Sequence, residues 1–226
     1  MDAARAFGRM ISPKLVLFDC DGVLVDSEPI VERVFADRLA DLGLTLSPAD
    51  VRARFRGWRF DTVMADVETR LGRSLPREWV YALTQAEYAA LSAQVEPIPG
   101  VIALIDQVEG AGITAAVASS GAPEKMRVTL GKVGLWDRFE GRIFSAVEVS
   151  RGKPAPDLFL FAADRMGVAP ADTVVIEDSA AGVQAAKAAG MTAIGYTGGR
   201  DEDGVLLAAA GADRVVDDMA AVNLAL

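Results

Sequence analysis

Lys14-Leu15-Val16-Leu17-Phe18-Asp19-Cys20-Asp21-Gly22-Val23-Leu24-Val25-Asp26-Ser27-Glu28 decides how the rest of the chain is read. Four apolar residues run into two carboxylates one residue apart, and a glycine follows at once. Such a run, bounded by a turn signal, predicts a strand buried on both faces. Its end then carries acids at the rim of a sheet, where ligands bind in open parallel sheets. Side-chain alternation sends Asp19 and Asp21 one way, and Cys20 reads as a small buried residue facing the other. Two carboxylates this close repel each other unless a positive group lies between them. Mg²⁺ is a common answer, held by one or two carboxylates together with a substrate phosphate. Taken alone, the pair also suits a turn corner, since Asp favours turns. The apolar run before it and the acids farther along the chain favour the cation.

Working outward, residues 27–95 carry helical patterns and no clear strand. Over 28–42, Ile30, Val34 and Phe35 share a face, Pro29 suits a first turn and Gly43 ends the helix. A short helix opens at Pro48, Arg54-Phe55-Arg56-Gly57-Trp58-Arg59 interrupts, and 61–71 and 77–93 are helical again. Beyond Pro97-Ile98-Pro99-Gly100 the texture changes to short apolar strands alternating with helices. Strands are expected over 113–118, 142–146, 173–176, 192–196 and 214–216. This alternation predicts an α/β fold, a Rossmann-like parallel sheet with helices on both faces. The helical stretch reads as an inserted second domain over 27–95, with the core formed by 1–26 and 96–226. Hinges are expected near 26–29 and 96–100.

The length of 226 residues and a hydrophobic content of 51% allow a sizeable core. The net charge of −9 repels nucleic acid and anionic membrane surfaces, so neither is expected as a partner. It also repels phosphorylated substrates at long range, so an anion site must be locally positive. The chain has no histidine, which removes Ser-His-Asp triads, Cys-His pairs and His-ligated zinc. Proton transfer then falls to a carboxylate. A single cysteine forbids an internal disulfide and suits a reducing compartment. Residues 1–12 lack the apolar segment of a signal peptide, and no charge-free apolar run of about 18 residues occurs. A cytoplasmic protein, monomeric or weakly dimeric, is expected.

Polar residues recur where the predicted strands stop. The first strand leads to Asp19 and Asp21, the second to Ser119, the fourth to Glu177 and Asp178, and Lys153 follows the third. Parallel strands place all these ends on one rim. The acids suit a metal; the hydroxyl and ammonium suit phosphate oxygens, with Ser120 and Gly121 N–H groups at a helix start as further donors. Each has a plainer reading: Ser119 as a helix cap, Lys153 as a solvated lysine, Glu177-Asp178-Ser179 as capping chemistry. The joint pattern is what points to a site.

The segments Asp19-Cys20-Asp21-Gly22-Val23-Leu24-Val25-Asp26-Ser27-Glu28, Val117-Ala118-Ser119-Ser120, Gly152-Lys153-Pro154-Ala155-Pro156-Asp157 and Val175-Ile176-Glu177-Asp178-Ser179-Ala180-Ala181-Gly182 resemble, in order, the four motifs of the haloacid dehalogenase-like hydrolase superfamily. The helical insert resembles the cap of its sugar-phosphate phosphatase and β-phosphoglucomutase branch. The resemblance implies that Asp19 is a nucleophile forming an aspartyl phosphate, and that Asp21 protonates the leaving oxygen and then activates water. It implies Mg²⁺ held by Asp19, the Asp21 backbone carbonyl and Asp178, with Glu177 assisting, and Ser119 and Lys153 neutralising the transferring phosphate.

The expected reaction is Mg²⁺-dependent hydrolysis of small phosphorylated metabolites, sugar or sugar-acid phosphates. The alternative is a phosphosugar mutase of the β-phosphoglucomutase type. That family's mutases use a cap histidine and lysine, and its phosphonatases a cap lysine; residues 27–95 contain neither. Dehalogenases of the superfamily lack the second acid of the first motif, which Asp21 supplies. For substrate binding, Arg54, Arg56 and Arg59 form a basic cluster able to hold an anion or simply to line a solvated turn. Lys125 and Arg127, after the second motif, are further candidates.

Overall fold

The strand β1 (Leu15–Phe18) is buried along its whole length. Its alternation divides the interior: Val16 and Phe18 enter one apolar core, Leu15 and Leu17 another. Full burial of each such side chain contributes about 1.5–3 kcal/mol, so both faces of this strand demand cover. The computed structural model describes residues 13–55, 60–222 and 224. In it β1 pairs in parallel with β2 (Thr114–Ser119) on one side and β4 (Thr173–Glu177) on the other. With β3 (Ile143–Ser145), β5 (Thr192–Tyr196) and β6 (Arg214–Val216), the strands form one parallel sheet in the order β3-β2-β1-β4-β5-β6. The order reverses between β1 and β4, the switch point at which such sheets hold ligands.

The first core is covered by α5 (Val101–Gly110) and α6 (Pro123–Lys132), through residues such as Ile105, Val108 and Leu130. The second is covered by α7 (Asp157–Arg165), α8 (Ala180–Ala188) and α9 (Asp201–Ala209). Four helices stand between β1 and β2 in the chain: α1 (Glu28–Ala40), α2 (Pro48–Phe55), α3 (Phe60–Leu71) and α4 (Arg77–Gln94). They share a separate core that includes Phe35, Leu39, Val51, Val67 and Leu83. Phe35 and Phe55 meet edge to face with ring centroids 5.8 Å apart. The two chain crossings into this helical block are stitched together: Asp26 N donates to Glu96 O at 3.0 Å, and Ile98 N to Leu24 O at 3.0 Å.

The parallel α/β sheet expected from the alternation is present. Two details differ. Strand β2 extends into Ser119, one residue farther than the apolar run suggests. Helix α9 was not expected at all, because Gly204 lies inside it and its alanine-rich sequence shows little periodicity. Arg56, Trp58 and Arg59 lie outside the described residues.

Candidate active site

Strand β1 stops at Phe18, so Asp19 is the first residue beyond it and Asp21 opens a tight turn. That turn is closed by Gly22 N donating to Val25 O at 2.9 Å and Leu24 N to Cys20 O at 2.9 Å. Cys20 turns inward and is fully buried in the first core. Gly22 has φ +82°, and a Cβ there would stand 2.3 Å from Oδ2 of Asp178. Glycine is therefore needed for conformation and for the close approach of two loops. Gly22→Ala is expected to lose about 1–2 kcal/mol from the left-handed backbone alone, and more from displacing Asp178. Urea unfolding checks this; an unchanged midpoint would contradict the packing.

On the neighbouring strand, Glu177 ends β4 and Asp178 follows. Glu177 is clamped: Oε2 accepts from Ser179 N at 3.0 Å and Ser179 Oγ at 2.8 Å. Ser179 Oγ in turn caps α8 by accepting from Gly182 N at 3.1 Å. A Cβ at Gly182 would fall 1.9 Å from the Glu177 carboxyl carbon, so the helix start is shaped around that side chain. Lys153 reaches in from the turn before α7. Its ammonium donates to Asp19 Oδ1 at 2.6 Å, to Ala118 O at 3.2 Å and to Glu177 Oε1. It also sits 5.0 Å from the Phe159 ring centroid.

One ligand oxygen each from Asp19, Glu177 and Asp178 lie within 4.8 Å of one another, and all three residues are buried. Burial pushes Asp19 up to about 7 against the pull of Lys153, with Glu177 and Asp21 adding to the rise. Lys153 moves the other way: burial opposes its charge, but Asp19 and Glu177 outweigh this and hold it above its usual range. Asp19 and Glu177 thus share one ammonium, and Asp178 beside them lies 3.9 Å from Arg200. This all-oxygen, charge-deficient donor set fits a hard divalent cation.

Asp21 stands apart from that trio. Its carboxylate is 2.9 Å from Lys125 on α6 and accepts a hydrogen bond from Ser27 Oγ. Burial works against its charge, yet Lys125 and Ser27 together hold it below the usual carboxylate range. Ser119 is buried, and its Oγ accepts from Gly121 N at 3.0 Å, leaving its hydroxyl proton to donate. Ser120 is exposed on the same cleft wall, and the Gly121 carbonyl is held by Ser145 Oγ at 2.7 Å. A cleft of about 770 Å³ gathers Asp19, Asp21, Ser119, Ser120, Gly121, Lys153, Glu177 and Asp178. A second chamber of about 330 Å³, walled by α1–α4, also opens onto Asp21.

Arg54 is not brought to this rim. It makes a bidentate pair with Asp66 (3.0 and 2.7 Å) and opens on a different cleft beside Asp50 and Arg70. Residues two apart on a helix point about 200° apart, so Arg52 faces the chamber instead, bidentate to Glu32 at 2.8 and 2.7 Å. Arg127 lies over the Trp136 ring. Three further residues meet the site: Ser27 from the end of the first motif, Lys125 from just after the second, and Arg200, which no motif marks. Ser27 and Lys125 hold Asp21, and Arg200 lies 3.9 Å from both Glu28 and Asp178.

Residues 13–190 match the family described as haloacid dehalogenase-like hydrolase. The chain is 35% identical over 177 residues to 6-phosphogluconate phosphatase of Escherichia coli (strain K12), covering 78% of this chain and 79% of that protein. It is 34% identical to hexitol phosphatase A of the same organism, covering 79% and 80%. Its fold superposes on a crystal structure of a HAD family hydrolase from Deinococcus radiodurans R1, solved with bound phosphate and sodium. There the TM-score is 0.78 and the identity 34%, covering 93% of each chain.

Proposed function

The chain belongs to the haloacid dehalogenase-like hydrolases and is a phosphomonoester hydrolase, and from that premise we propose that it uses Mg²⁺ and an aspartyl-phosphate intermediate to hydrolyse small sugar or sugar-acid phosphates. One observation carries the reading. Asp19, Lys153, Glu177 and Asp178 converge in one buried cluster, while Asp21 stands between the cleft that suits phosphate and the chamber that suits the rest of the substrate.

Asp19, the Asp21 backbone carbonyl and Asp178 would hold the ion, with Glu177 behind them. Bound there, Mg²⁺ neutralises and orients the transferring group. Asp19 Oδ attacks phosphorus, the bond to the leaving oxygen breaks, and that oxygen takes a proton from Asp21. Asp21 then removes a proton from water, whose oxygen attacks phosphorus and breaks the bond to Asp19, releasing phosphate. Lys125 and Ser27 favour the ionised form that this second step needs, so the first step draws on a proton that Asp21 takes up from solvent before transfer. Lys153 and the Ser119 hydroxyl lie against the phosphoryl oxygens, where charge develops. The helices over 27–95 act as a cap that excludes water during the transfer. A reducing cytoplasm suits the lone buried cysteine.

A panel of phosphorylated sugars, sugar alcohols and sugar acids, assayed for released phosphate, tests the reading. Chelation should lower the rate by roughly a hundredfold or more, the scale of several kcal/mol of charge stabilisation, and added Mg²⁺ should restore it. Isomer formation without free phosphate would instead establish a mutase. A rate indifferent to chelation would remove the metal from the mechanism.

A further inference from the structure

The chamber beside Asp21 contains a carboxyl group that neither the reaction nor the fold uses. Glu87 lies on α4 and lines the chamber with Lys125 and Asp21. It is half-buried, and burial raises its pKa to about 7 against the pull of Lys125. Among the described residues it makes no hydrogen bond or ion pair. A carboxylate that opens into a substrate-sized cavity with no protein donor is placed to accept from a ligand's hydroxyl groups.

The charges around it narrow the choice of ligand. The described chamber wall carries four carboxylates, Asp21, Glu28, Glu32 and Glu87, against two cations, Arg52 and Lys125. Both cations are committed: Arg52 is bidentate to Glu32, and Lys125 is paired with Asp21. An incoming anion therefore meets no uncommitted cation among these residues. The rest of the wall is apolar, with Phe35, Val51, Phe55, Val63 and Met64, and suits the C–H face of a carbohydrate. Hydroxyl groups can donate to a carboxylate and accept from an ammonium.

We propose that Glu87 is a specificity-determining residue that selects phosphate esters of neutral, hydroxylated alcohols and rejects those whose leaving group carries a second anion. This rests on the phosphatase reading and narrows its substrate class to sugar or sugar-alcohol phosphates. Ionised Glu87 accepts hydrogen bonds from hydroxyl groups of the leaving group and, with Glu28, repels a terminal carboxylate.

The test compares glucitol 6-phosphate with 6-phosphogluconate, two esters of the same carbon chain that differ by a carboxylate. Wild-type protein with Mg²⁺ should favour the neutral ester in kcat/KM by about tenfold or more, since juxtaposed like charges cost several kcal/mol. Glu87→Gln keeps the shape and removes the charge. It should narrow the preference about tenfold, chiefly through a lower KM for the sugar acid; a melting curve confirms its fold. Release of phosphate with a wild-type preference for the sugar acid would overturn the assignment. So would a Glu87→Gln preference within about twofold of wild type. No phosphate release from any ester by wild-type protein would sink the phosphatase reading itself, and this inference with it.

Discussion

Asp19→Asn is expected to abolish phosphate release, a loss of about 10⁴-fold or more, as when other catalytic nucleophiles are removed. The amide fills the same space and still accepts from Lys153, which lies 2.6 Å away. It has no anionic oxygen with which to attack phosphorus. The fold should not suffer, because two buried carboxylates share one ammonium here and burial already drives Asp19 toward its neutral form. In chelator the variant should melt no lower than wild type. Full loss of activity with an undiminished melting temperature separates a chemical role from a structural one. A variant that retains a tenth of the rate would mean that Asp19 is not the nucleophile.

Lys153→Met is expected to damage both stability and rate. The ammonium is 6% exposed in its side chain and is bonded to Asp19 and Glu177 at once. Removing one partner from a buried ion pair costs about 3–5 kcal/mol, because the charges left behind are uncompensated. Chemical denaturation in chelator should show that loss. Mg²⁺ should restore part of it, since a cation between the carboxylates replaces the missing charge. Activity with Mg²⁺ should still fall by about 10²–10³-fold, the scale of losing one donor to the developing charge. If the variant unfolds at the wild-type denaturant concentration in chelator, Lys153 does not neutralise the cluster.

Much of this architecture was legible in the chain, for reasons that particular residues make plain. Leu15 to Phe18 alternate between two cores, so their unbroken apolar run could only be a central strand. The polar residues at strand ends were legible because parallel strands share a rim: Asp19, Ser119, Lys153 and Glu177 come from separate segments yet line one cleft. What stayed hidden depended on side-chain direction or on pairing across long separations. Arg54 belongs to a basic cluster in sequence, but the helix turns it toward Asp66 and presents Arg52 to the chamber. The pairing of Lys125 with Asp21 reaches across the whole helical block in sequence and follows no periodicity. Helix α9 failed to register because a glycine and a run of alanines blur its amphipathic pattern.

The paired crossings at Leu24–Asp26 and Glu96–Ile98 bear on how such a molecule can diversify. Two backbone hydrogen bonds hold the entrance and the exit of the helical block side by side. Whatever is spliced between them, long or short, leaves from and returns to the same spot, and the sheet beneath feels no change in strain or register. Ancestral tinkering can therefore rewrite the antechamber wholesale while the acids underneath are inherited untouched.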